Sequence, residues 1–344
     1  MSPAFGRSLA RGARHGGLGA LTADGGWRIC SLCRTKGRRE RRRRIERMAI
    51  GGSGLMHVMI FGCGYSGTAI AKAFAGDGVR VSGTTRSPDK MDMLRQKGIE
   101  AFLFDGESME EGLRQALDSV THLVQSIAPG KADPLLRLLG KDGARLLPKL
   151  EWIGYLSTVG VYGDHQGAWV TEETPCLPVS GRSTERLEAE EGWLAMGRER
   201  GVPAAVLRLS GIYGPGRNAF SNLDKGTARR LIKKDQVFNR IRVEDIGAAA
   251  RFLSERGLGG IYNVTDDRPG PPQDVIVEAA RLMGVEPPPE QAFETAELTP
   301  MARTFYGENK RVSNAKLKAA GFAFSFPNYP MSLAQLWRDG RWRG

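Results

Sequence analysis

The residues best suited to chemistry begin with Gly62-Cys63-Gly64-Tyr65-Ser66-Gly67. This G-x-G-x-x-G spacing follows an apolar strand and opens a helix, the context of a loop that cradles a pyrophosphate. Gly62 allows the tight turn, Gly64 lets phosphate approach the backbone, and Gly67 lets helix and strand pack closely. Tyr65 and Ser66 start the helix, whose free N–H groups and positive dipole end face the phosphates. The stretch predicts a bound dinucleotide. About 20 residues on, where an NAD site places an acid for the ribose hydroxyls, the chain reads Gly83-Thr84-Thr85-Arg86-Ser87, with no carboxylate. An arginine beside two hydroxyls suits a 2′-phosphate, so NADP is the expected cofactor and NAD the alternative.

A second candidate set lies in SGRSTERLEAEEGW, residues 180–193. The stretch reads as the start of a helix, with Arg182 and Arg186 four apart and therefore on one face. Residue type alone leaves two accounts open. The pair binds an anion, or it belongs to a solvated face paired with Glu185, Glu188 or Glu190.

The elements that must position these groups follow a regular alternation. Strands are predicted at 57–62, 79–85, 101–106, 122–129, 153–163, 204–216 and 260–267. Helices are predicted after the glycine loop, at 89–98, 109–117 and 245–257. Such alternation gives right-handed βαβ units and a parallel sheet covered on both faces. The expected fold is α/β: a doubly wound Rossmann sheet over residues 57–210. A small substrate lobe occupies most of 211–344, with 240–267 returning to the sheet domain.

The formal charge is +12, a value that suggests a nucleic-acid or anionic-membrane partner. Its distribution argues otherwise. Residues 1–47 carry 13 Lys and Arg against three acids, which leaves +2 for residues 48–344. A nearly neutral body makes a nucleic-acid partner an expectation of the tail alone. That tail is expected to be disordered, and Met48 and Met56 before the first strand make a start assigned too far upstream the favoured account of it. Cys30 and Cys33 lie in it with only His15 nearby, too few ligands for zinc, so no metal is expected. Cys63 and Cys176 suggest no disulfide framework, and no apolar run approaches the ~18–20 residues of a membrane span. A cytoplasmic protein acting on a small molecule, with no membrane partner, is the expectation.

Several landmarks coincide: GCGYSG, Asp105 closing the third strand, LSTVGVYG, ETPCLP, LRLSGIYGPG and VEDIGAAA. Together they resemble the extended short-chain dehydrogenase/reductases, the NAD-dependent epimerase/dehydratase superfamily, and among them its atypical members. The resemblance spans roughly residues 57–330. It implies that Asp105 bonds the adenine amino group and that Gln125-Ser126-Ile127 runs beside the cofactor ribose. Ser157 and Thr158 would end the fifth strand, with the hydroxyl of Thr158 polarising the reacting carbonyl or alcohol. A homodimer through the helices before the fifth strand and at 183–200 is a further open implication.

The same resemblance exposes a departure. Active members carry Tyr-x-x-x-Lys on the next helix, the tyrosine as general acid/base and the lysine on the nicotinamide ribose. Aligned through the downstream R-L-E-A-E, these positions hold Arg182 and Arg186. Arg186 can still meet ribose hydroxyls. Arg182 cannot exchange a proton near neutrality, because a guanidinium stays protonated to a pKa above ~12. Three readings stay open. Tyr162 substitutes as the acid/base, facing the substrate pocket, while Tyr155 and Tyr213 are packed. Alternatively Arg182 binds an anionic substrate group, or the protein is a non-catalytic NADP(H)-dependent sensor or binding module. If active, it oxidises, reduces or epimerises a carbinol or carbonyl centre, such as one on a nucleotide-linked sugar. His165, after VYG, is a candidate proton carrier by location. His122 opens a strand, and Arg303, Lys310 and Arg311 fall where the lobe is expected.

Overall fold

The first strand, β1 (Met56–Phe61), is apolar on both faces and fully buried from Val58 to Phe61, as a central strand covered on both sides must be. It pairs in parallel with β2 (Val79–Thr85) on one side and β4 (His122–Gln125) on the other. With β3 (Glu100–Leu103), β5 (Trp152–Thr158), β6 (Ala204–Leu209) and β7 (Gly260–Val264) it forms one seven-stranded sheet, ordered β7-β6-β5-β4-β1-β2-β3. Every pairing is parallel. This is the doubly wound Rossmann arrangement, and the order reverses at β1 and β4. The computed structural model describes residues 55–344 other than Asp77. The basic tail at 1–47, the Cys30/Cys33 pair and Met48 lie outside the described residues.

Each face of the sheet has its own apolar core. On one, α1 (Tyr65–Phe74) and the helix Val243–Glu255 contribute Ile70, Phe74, Ile246 and Leu253 against Val58, Ile60 and Leu207. Their close approach requires Gly247, where a Cβ would come within 2.6 Å of the Ala69 carbonyl oxygen. On the other face, Leu113, Leu117, Leu135, Leu139 and Trp193 pack on Met59, Phe61, Ile153 and Tyr155. A third cluster, with Phe220, Ala279, Leu333 and Trp342, forms the core of the later segments.

The strands end sooner than hydropathy alone predicts, and side chains explain why. β5 stops at Thr158, whose Oγ1 accepts the Gly160 N–H and caps a turn of 3₁₀-helix over Val159–Tyr162. The predicted 204–216 strand is two. After β6 the chain leaves the sheet at Ser210, and Gly211–Tyr213 pairs instead with Arg240–Arg242. β3 ends at Leu103, so Asp105 lies two residues beyond it in a turn of its own.

Candidate functional site

The loop after β1 has the geometry its glycines predict. Gly62 has φ +85°, and a Cβ there would strike the Ile127 side chain at 2.8 Å. At Gly67 a Cβ would meet the Gly62 carbonyl oxygen at 2.7 Å, so only hydrogen lets α1 close on the turn. Gly64, at the N-cap of α1, differs: nothing lies within 4 Å of where its Cβ would stand, and no side chain caps the helix. The first turn of α1 therefore opens onto a cradle bounded by backbone N–H groups. A pyrophosphate fits this cradle. Cys63 lies beneath, its thiol pushed up to about 11 by burial.

The second strand braces the loop. Thr84 Oγ1 accepts the Gly62 N–H at 2.9 Å, and the Thr84 carbonyl accepts the Cys63 N–H at 2.8 Å. Thr84 is buried and committed to the turn, and Thr85 Oγ1 accepts the Ser87 N–H. Of the hydroxyl pair Thr84 is enclosed in the turn, whereas Thr85 is half-buried with its O–H still able to donate, beside the exposed cation Arg86 at the strand end.

A cleft of about 700 Å³ opens beside this strand end, lined by Arg86, Phe104, Asp105, Ile127, Lys131 and Arg137 among others. Asp105 Oδ1 accepts the N–H groups of Glu107 and Ser108, which hold its carboxyl below the usual carboxylate range. The Arg137 guanidinium donates to the Gly106 carbonyl and to Glu107. Lys131 and Arg137 went unread in the sequence because each is a lone cation far along the chain from Arg86. Ser126 hydrogen-bonds through its N–H to the Phe61 carbonyl at the start of the glycine loop. Its neighbour Gln125 is buried, donating to Asp133, which caps the helix Pro134–Leu139.

At the end of β5 the two hydroxyls part company. Thr158 is half-buried and accepts the Gly160 N–H, leaving its O–H able to donate. Ser157 is buried and donates to Glu190 Oε1 at 2.5 Å. Glu190 in turn pairs with Arg208 at 2.7 Å, both side chains out of water. The sequence named Glu190 only as a solvated partner for Arg182 or Arg186; it is instead buried against Arg208, a residue the sequence did not single out.

The structure corrects the expectation that Tyr162 faces a substrate pocket. Tyr162 is fully buried, packed with Val161, Val170 and Val312, and its O–H donates to Asn263 Oδ1 at 2.7 Å. The Arg208 guanidinium lies 4.8 Å above its ring, and burial raises the phenol to about 12. Fully buried and bonded to Asn263, that hydroxyl is out of a substrate's reach. Tyr155 is also buried, stacked on Trp193.

Helix Gly181–Arg200, capped by Ser180, carries the two arginines. Arg182 is exposed in its first turn. Arg186 turns inward and donates to the Leu156 carbonyl of β5. His165 bonds the Tyr162 carbonyl at 3.0 Å, and Lys310 donates to the Gly163 carbonyl and Glu308, so both secure the VYG loop. No group of three or more His, Cys, Asp or Glu among the described residues is placed to hold a metal. None of the described helices is long and apolar enough to cross a membrane.

A parallel sheet in this order, with a glycine-rich turn opening a helix at its reversal point, defines a Rossmann dinucleotide-binding protein. The chain belongs to the NAD dependent epimerase/dehydratase family, which it matches over residues 58–264. It is 30% identical over 243 residues to Protein YeeZ of Escherichia coli K12, an overlap of 67% of this chain and 85% of that protein. A functionally unknown conserved protein from Silicibacter pomeroyi shares 46% identity, with a TM-score of 0.77 over 83% of this chain and 99% of that one. The human epimerase family protein SDR39U1, solved with NADPH, is alike in fold at 17% identity, TM-score 0.61, covering 83% of this chain and 100% of that one.

Proposed function

We propose that the protein binds NADP(H) and acts at a carbinol or carbonyl centre, with a nucleotide-linked sugar as the substrate class to try first. The observation that carries this reading is Arg86 and Asp105 lining one cleft beside the open cradle at Gly64. Tyr65, Ser66 and Gly67 hold the pyrophosphate through backbone N–H groups, and Gly64, whose own N–H donates to the Gly62 carbonyl, leaves the space for it to approach. Arg86 meets a 2′-phosphate, and Asp105 accepts from the adenine amino group. Ser126 runs beside the ribose. The nicotinamide, when bound, supplies hydride exchange. Thr158 donates a hydrogen bond to the substrate oxygen, an interaction that strengthens as negative charge develops there. Arg182, exposed at the start of its helix, binds an anionic group of the substrate.

The inward turn of Arg186 favours a second reading. Its donation to Leu156 turns toward the sheet a side chain that the catalytic scheme aims at the ribose. Under that reading the protein binds NADP(H) without turnover, as a sensor. Titration with NADPH and NADH, with Arg86→Ala alongside, tests the shared premise. NADPH binding weakened by the substitution, with NADH binding unchanged, supports NADP; equal affinities in both proteins remove Arg86 from the site. Consumption of NADPH with any carbonyl substrate then separates enzyme from sensor.

A further inference from the structure

The turn Gly214-Pro215-Gly216-Arg217 closes against the first turn of α1. Tyr65, the residue after Gly64, donates its O–H to the Pro215 carbonyl at 3.0 Å. The Arg217 guanidinium stands 5.9 Å from the centre of the Tyr65 ring. The contact is close enough that a Cβ on Gly214 would meet the Tyr65 hydroxyl at 2.8 Å.

The turn is held firmly. Gly214 and Arg217 exchange both backbone hydrogen bonds, at 2.9 and 3.1 Å. The Asn218 side chain donates to the Gly214 and Trp342 carbonyls, at 2.8 and 2.7 Å. Gly216 N–H also reaches the Trp342 carbonyl, and Gly214 and Gly216 both occupy positive φ. Yet the side chain this turn presents is exposed, and its guanidinium donates no hydrogen bond among the described residues. Glu244, an acid that acts electrostatically on Tyr65, is already paired with Arg242 at 2.7 Å. A rigid turn thus holds an uncommitted planar cation beside the open N-terminus of α1. Such preorganisation lowers the ordering cost of binding an anion.

We propose that Arg217 is a dinucleotide-binding residue that meets the pyrophosphate from the side opposite the glycine loop, with Tyr65 as its platform. The inference rests on the dinucleotide reading above and adds a ligand from outside the first βα unit. Pyrophosphate is common to NADPH and NADH, so Arg217 serves both equally, whereas Arg86 discriminates between them.

The experiment is a fluorescence titration of the full chain and of Arg217→Ala and Arg217→Lys with NADPH and NADH. Displacement by adenosine 2′-monophosphate, which lacks the pyrophosphate, runs alongside. Arg217→Ala weakens NADPH and NADH alike, by about tenfold or more for a lost charge-assisted bond, and leaves the 2′-monophosphate within twofold. Arg217→Lys recovers part of the loss. Parent-like dinucleotide affinity in Arg217→Ala overturns the role of Arg217 while the cofactor reading stands. Equal weakening of all three ligands makes its effect structural and overturns it too. Failure of the unmodified protein to bind either dinucleotide removes the reading on which it rests.

Discussion

Glu190 and Arg208 face each other at 2.7 Å with their side chains 1% and 3% exposed, joining helix Gly181–Arg200 to β6. Ser157 adds a third member from β5, and the Arg208 guanidinium covers the Tyr162 ring. The three side chains lock three elements together. Breaking a buried pair from one side leaves an uncompensated charge and costs ~3–5 kcal/mol. Glu190→Ala and Arg208→Ala should each lower the free energy of unfolding by that order. A Glu190→Leu/Arg208→Met double variant should recover most of the loss, as read by urea titration. Additive losses in the double variant would show that the pair is not coupled.

The glycine loop predicts two different defects. A Cβ at Gly64 touches nothing in the protein, so Gly64→Ala should keep the melting temperature within a degree or two while weakening NADPH binding at least tenfold. Gly67→Ala puts a methyl 2.7 Å from the Gly62 carbonyl oxygen and should lower stability as well. Thermal melts beside cofactor titrations distinguish them.

The adjacent hydroxyls of β5 should separate in the same manner. Ser157→Ala removes a donor to the buried Glu190 carboxylate and should cost ~1–3 kcal/mol, with turnover changed less than threefold. Thr158→Val should leave the melt nearly unchanged and reduce turnover by ~100-fold or more. The comparison uses any substrate that consumes NADPH. The reverse pattern would give the catalytic hydroxyl to Ser157.

Stability should depend on pH through three buried groups. His57, held between Ser119 and Ser82, and His122 are both lowered to about 4, chiefly by desolvation. The unfolded chain takes up these protons first, so their contribution is intact above pH ~6.5 and lost as pH falls toward 4. Asp266 runs the other way. Burial raises it to about 7, so the folded state keeps a proton that the unfolded chain releases near pH 4. Stability from this group is therefore lost as pH rises from about 4 to 7. His57→Gln should reduce the loss of melting temperature between pH 6.5 and 4.5, and Asp266→Asn should reduce the loss between pH 5 and 8. Variant pH profiles parallel to that of the parent would contradict both assignments.

The Rossmann sheet and the glycine loop were legible from residue order. Both are local: apolar runs of strand length alternate with helical periods, and G-x-G-x-x-G works through backbone conformation that neighbouring residues impose. Arg86 was legible as a strand-end residue for the same reason, whereas Asp105 falls two residues past the strand it was expected to close. Tertiary structure alone decided what the polar side chains do, because burial and partnership depend on residues distant in the chain. Tyr162 reads as an acid/base until Asn263, 101 residues on, takes its hydrogen bond. Ser157 and Thr158 look equivalent until Glu190 claims one of them, and Arg217 gains its place only when its turn reaches Tyr65, 150 positions earlier from Pro215. The physical reason is common to all three. A charge or hydroxyl acquires its role from the groups that replace water around it, and the fold chooses those groups.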